Sequence, residues 1–156
     1  MGLIFLVIII IAITFFVMVS ANTKFKLGGE FKKVTKNQFS HKIFGEINYQ
    51  EPLVEIIGPR LDTSVKKVVN AVLIRDFSNT EYKHAVMVLV SDIQVGYLNE
   101  EDAIKFITIL KNKHLSEGMG INVKAIIYGE WGDTSKNGNF KVSLNLPKNF
   151  EDSVIK

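Results

Sequence analysis

The chain contains no cysteine, three prolines, one tryptophan and three histidines in 156 residues. Without cysteine there is no disulfide framework, no thiolate metal site and no cysteine nucleophile. His41, His84 and His114 are too scattered along the chain to read as a metal cluster. No serine sits in a Gly-x-Ser-x-Gly elbow, and no Gly-x-x-x-x-Gly-Lys phosphate loop occurs. Broad positive charge is also missing. The formal net charge is +3, but residues 24–42 hold six Lys against one Glu, while residues 43–156 hold 13 Lys/Arg against 15 Asp/Glu. The main body is thus near −2 and lacks the cationic surface most nucleic-acid binders present. These absences leave a non-catalytic module with no implied cofactor or metal.

What is present first is a long apolar run. Gly2 to Ala21 has no charged residue over 20 positions. As a helix it would cover the ~30 Å hydrocarbon core of a bilayer. A cleaved signal peptide is the competing reading, with small residues at Val19-Ser20-Ala21. It lacks a preceding Lys or Arg, and the run is longer than a usual signal core. The run is therefore expected to be one transmembrane helix over residues 1–21. Lysines on its C-terminal side place the remainder of the chain in the cytoplasm.

Residues 22–40 read as a basic juxtamembrane linker. Lys24, Lys26, Lys32 and Lys33 alternate with Phe25 and Phe31, and Gly28-Gly29 interrupts any helix. Such lysines suit anionic lipid headgroups, and equally a plain topology signal.

The rest, residues 41–147, reads as one α+β domain of about six strands and two helices, a small, partly open β-barrel. Its centre is Tyr82 to Leu98. His84 to Val90 is apolar on both faces, as a buried central strand should be. Ser91-Asp92 makes a tight turn into Ile93 to Leu98, where Gly96 allows another backbone to approach. Asn99 caps a helix whose first turn carries Glu100, Glu101 and Asp102. Around this unit the sequence predicts a strand from His41 to Ile47, a helix after Tyr49, a polar loop from Leu61 to Lys67, and strands over Val68–Asp76 and Ile121–Tyr128. A long turn from Gly129 to Asn139 comes next. The last strand, from Phe140, alternates Phe140, Val142, Leu144 and Leu146 inward with Lys141, Ser143 and Asn145 outward. Residues 148–156 read as a polar, frayed tail.

A family likeness emerges from these motifs in order. They are Gly45 with Tyr49-Gln50, Asn79, Ala85-Val86, Val95-Gly96-Tyr97-Leu98 with Asp102-Ala103, the Gly-x-Trp-Gly turn at Gly129 to Gly132, and Phe-x-Val-x-Leu-x-Leu-Pro at Phe140 to Pro147. Over residues 41–147 the chain resembles the HIRAN domain family, especially its stand-alone bacterial relatives. The resemblance implies a barrel related to the oligonucleotide-binding type and, as a partner, the 3′ end of single-stranded DNA. Where the family's loop runs Asn-Pro-Tyr-Asp-x-Asn-Ala, this chain has Asn79-Thr80-Glu81-Tyr82-Lys83-His84-Ala85, so only Asn79 and Ala85 match.

Candidate ligand-binding residues are Tyr49, Asn79, Tyr82, Lys83, His84, Tyr97 and Trp131. The tyrosines could stack on bases, with Lys83 and a protonated His84 as the neighbouring cations. Each also has a structural reading: rings packed at the barrel rim, an Asn79 amide bonded to its own loop, a structural His84, and Trp131 covering a barrel end. Two functions stay open, a module for nucleic acid and a module for a protein partner or membrane surface.

Overall fold

The computed structural model describes residues 25–32, 39–133, 138–150 and 153–156. The chain runs β1 (Leu27–Glu30), β2 (His41–Lys42), a 3-10 turn (Glu46–Tyr49), α1 (Gln50–Ile57), β3 (Val65–Arg75), β4 (Val86–Val90), β5 (Ile93–Tyr97), α2 (Glu100–Asn112), β6 (Gly120–Trp131) and β7 (Gly138–Leu144). Six strands form an antiparallel path, β2-β7-β6-β3-β4-β5, and β1 joins β6 in parallel. The sheet curls into a half-barrel. Just after β2, Phe44 bridges to Tyr97 at the end of β5, so the two ends of the path are linked.

The expected hairpin is there. Ser91 and Asp92 have φ of 52° and 63°. Two left-handed residues make the turn whose twist matches that of the flanking strands. Val86, Val88 and Val90 are fully buried and Leu89 nearly so, as a strand between two neighbours requires. A Cβ placed on Gly96 would lie 2.7 Å from the Phe44 carbonyl oxygen, so glycine is what lets the barrel ends meet. The Asn99 side chain accepts from the Asp102 N–H, capping α2 above its acidic first turn.

The core is one apolar cluster inside the curl. Sheet residues such as Leu73, Val88, Val95, Ile121, Ile127 and Val142 meet Leu53 of α1 and Phe106 and Leu110 of α2.

Several expectations are corrected. The strand from His41 stops at Lys42, because Gly45 turns the chain with φ 83° into the 3-10 turn. The loop from Leu61 to Lys67 is shorter than predicted. β3 starts at Val65, whose side chain is buried, while polar Lys66 and Lys67 disguise the strand. The turn from Gly129 is shorter too, since β6 runs on to Trp131 and β7 starts at Gly138. Ser143 lies on the outward face with Lys141, as expected, but it is buried there, and Asn145 is buried too. Ser143 Oγ sits 3.5 Å from the Tyr128 hydroxyl, on a strand flanked by β2 and β6.

The ends of the domain differ most from expectation. Within the segment read as linker, Leu27–Glu30 pairs with β6, and Phe31 is buried. Within the segment read as a frayed tail, Phe150, Ser153 and Ile155 are buried, and Ile155 bridges to Phe31. The Phe31 ring meets Phe106 at 6.2 Å and Phe150 at 6.0 Å, so aromatic packing holds both ends down.

The expected transmembrane helix over residues 1–21 lies outside the described residues, as do Lys24 and Lys33. Among the described residues no helix is long and apolar enough to cross a membrane.

Candidate functional site

The structure gathers most of the candidate residues at one rim of the half-barrel. The 3-10 turn brings Tyr49 to the end of β5, where Tyr97 points its hydroxyl at the loop after β3. That hydroxyl donates to Asp76 Oδ2 at 3.1 Å. Asp76 also accepts from the Ser78 N–H at 3.0 Å and from the Ser78 hydroxyl at 2.6 Å. Burial, and then the adjoining Tyr97 hydroxyl and the Asp76 charge, push the Tyr49 phenol above its ordinary value. Burial alone would raise the Asp76 carboxyl, but the donors from Ser78, Tyr97 and the loop backbone outweigh it and hold it low. Tyr49, Tyr97 and Asp76 therefore form a polar chain that ends in a fixed negative charge.

The loop itself is built on Asn79. Its side-chain oxygen accepts from the N–H groups of Glu81 at 3.0 Å and Tyr82 at 2.8 Å. That is the role of a turn-forming amide. Tyr82 and Lys83 are exposed, and the Lys83 carbonyl accepts from Arg75 at 3.0 Å. His84 is half-buried where the loop runs into β4. The Arg75 guanidinium is already engaged. It pairs with Glu117 and lies 5.0 Å from the centre of the Phe77 ring.

Trp131 is placed elsewhere. Its ring packs edge-on against Phe140 at 5.1 Å, and with Glu130 it borders a shallow polar cavity of about 290 Å³ under residues 60–64. The indole N–H is buried without a partner. Its link to the rim is indirect: the backbone of Phe140 donates to Gln50 Oε1 at 2.9 Å and accepts from Gln50 Nε2 at 3.0 Å, and Gln50 follows Tyr49.

Two groups of consequence escaped the sequence reading. One is Asp76, which sits at the end of a strand with no motif around it. The other is a pair formed by His41 and Asp102, 61 positions apart. His41 Nδ1 lies 3.0 Å from Asp102 Oδ2, and Nε2 lies 2.6 Å from the Pro147 carbonyl oxygen. Both neighbours are acceptors, so the site favours the doubly protonated imidazolium, with each ring nitrogen donating. The hydrogen bond to Asp102 is the main reason the His41 pKa is raised from 6.5. Burial opposes ionisation of Asp102, but His41 and the Asn99 amide, 2.9 Å away, bring its pKa below 3.8. The pair is enclosed by packing, with the Phe150 ring edge-on to His41 at 5.6 Å. Its place is structural: it ties β2 to the start of α2 and to the chain after β7.

Among the described residues no group of three or more His, Cys, Asp or Glu side chains could hold a metal ion. No protein-family model, no curated protein and no solved structure matches the chain at a significant level.

Proposed function

We propose that this protein is a membrane-anchored, non-catalytic binding module, HIRAN-like in its motif order, whose rim at Tyr49, Tyr97 and the 76–84 loop takes a protein segment. Residues 2–21 are its anchor, with the domain on the cytoplasmic side. The observation that carries this reading is the Asp76 carboxylate at the heart of the rim. A DNA end brings phosphate, which needs fixed cations. Here Arg75, at the end of β3, is taken by Glu117, and between Asp76 and His84 the sequence sets one lysine, Lys83, against the two carboxylates of Asp76 and Glu81. The same rim exposes apolar surface that suits a polypeptide: Phe44 is 63% exposed, Ile47 82% and Tyr82 59%.

The test is site-specific photo-crosslinking in the host membrane from positions 47 and 82, using the full chain. A defined protein adduct from both positions, lost on Phe44→Asp, is the expected result. Parallel binding to single-stranded oligonucleotides at low salt should be absent. Salt-sensitive binding to 3′ ends that falls on Tyr49→Ala or Tyr82→Ala would overturn the reading and restore nucleic acid as the ligand.

A further inference from the structure

The outer face of the sheet, away from the core, carries a second surface. The register sets Lys66 beside Tyr128 and Tyr128 beside Lys141. The next rung holds Val68, Ile126, Ser143 and Lys42. Beyond it Asn70 pairs with Lys124. All four lysines are exposed, and Val68 is 57% exposed. No acidic residue falls within these rungs; Glu130 stands past one end, and Glu30, paired with Asn122, past the other.

The chain arrives on this same face. A Cβ on Gly120 would meet the Phe25 ring at 2.7 Å and Val72 at 2.8 Å, and the Gly120 N–H donates to the Lys26 carbonyl. Gly120 and Val72 share the strand parity of Lys124 and Asn70, so Phe25 lies at the end of the lysine face. Between Ala21 and Phe25 stand three residues, a reach of at most about 14 Å. The face itself runs roughly 26 Å from Gly120 to Tyr128.

We infer that this face lies on the surface of an anionic bilayer, with Lys42, Lys66, Lys124 and Lys141 against lipid headgroups and Val68 and Tyr128 at headgroup depth. The inference rests on the anchor reading of residues 2–21 and adds a second contact to it. A bilayer suits the face better than a nucleic acid does. The cations are lysines, hydrated point charges that need no fixed geometry, and they are spread over two dimensions. One half-buried tyrosine is no row of rings for successive bases.

The absence of cysteine makes the test clean. The full chain carrying Val68→Cys with an environment-sensitive fluorophore is reconstituted into phosphatidylcholine vesicles, and into the same vesicles with about a third phosphatidylserine. Asn70→Cys serves as a second probe should the first disturb the fold. A blue shift that requires phosphatidylserine and is reversed by high salt supports the inference. Lys66→Glu with Lys141→Glu should weaken the lipid-dependent response by more than the about fivefold expected per lost cation. A label indifferent to phosphatidylserine overturns the docking while leaving the anchor standing. A chain that does not float with neutral vesicles overturns both. An equal shift produced by oligo-dT in neutral vesicles overturns the inference in favour of nucleic acid.

Discussion

The hairpin at residues 86–97 and the clasp between the two ends of the domain are held by the same forces at different reach. In the hairpin, strands five residues long meet across a two-residue turn, so pairing and burial come from neighbours. In the clasp, Glu30 exchanges backbone hydrogen bonds with Lys156 at 3.2 and 2.9 Å, and Lys32 donates to the Val154 carbonyl at 2.7 Å. The Phe31 ring then packs against both Phe106 and Phe150. The clasp joins segments more than 100 positions apart, so forming it costs far more chain entropy than closing the hairpin. What it teaches is that burial of a few phenylalanines can recruit segments whose own composition looks unstructured.

The sharpest way to break the comparison is at Phe150, which is fully buried. Phe150→Ala should destabilise the domain by about 3–5 kcal/mol, as large-to-small core changes do. A frayed tail would give almost nothing. Urea unfolding of the variant separates the two outcomes. Hydrogen exchange should show the loss first at Glu30, Lys32 and Lys156, with the hairpin amides still protected.

Gly96 comes next and tests the other side. Its φ is 153° and any Cβ meets the Phe44 carbonyl oxygen. Gly96→Ala should cost about 2–3 kcal/mol through backbone strain and displacement. Gly45→Ala is the control: its φ of 83° is also positive, but nothing lies within 4 Å of the added carbon. It should cost about 1 kcal/mol. Equal losses at the two positions would mean that the closeness of Phe44 to β5 does not matter.

The His41–Asp102 pair joins the two regions, since it fastens β2 and the chain after β7 to the cap of α2. Its pH dependence is set by the directions of the two shifts. His41 is raised above 6.5, so its contribution is full below that pH and is lost as pH rises through the raised value. Asp102 is lowered below 3.8, so its contribution is full above that pH and is lost as pH falls through the lowered value. Stability should form a plateau between about pH 4 and 6.5 and fall on both sides. Lys105, on the same helix, works against the His41 charge and trims the alkaline side. Asp102→Asn should lower stability by about 1–3 kcal/mol on the plateau and flatten the alkaline limb. Thermal melts across pH measure both, and an unchanged alkaline limb would contradict the imidazolium assignment.

The same contrast separates the features that were legible in the sequence from those that were not. The hairpin, the Asn99 cap and the inward alternation of Phe140, Val142, Leu144 and Leu146 were legible, because each is decided by residues next to one another. Gly96 was legible as a place of close approach, though not which backbone would approach it. The ends were not legible. Phe31 and Phe150 sit among lysines, glycines and acids, and no local pattern marks them as core. At the rim, the tyrosines were picked out as rings, but Asp76 was missed because its role depends on a hydroxyl 21 positions away. His41 and Asp102 each had a plausible local reading, which hid their pairing.

The smallest effect sharpens the local side of the comparison. Asp92 holds φ 63° at the second turn position, a conformation that costs any residue with a side chain, although aspartate less than most. The paired-positive turn favours glycine there. Asp92→Gly should therefore stabilise the domain by about 0.5–1 kcal/mol, the relief of the left-handed strain exceeding the added freedom of the unfolded chain. Because the turn is exposed and β3 stands between its hairpin and β6, the strand that carries β1, the gain should add to the loss from Phe150→Ala within about 0.5 kcal/mol. A double variant that departs from that sum would show that hairpin and clasp are coupled through the sheet, and that the division between near and far contacts drawn from the register is too simple.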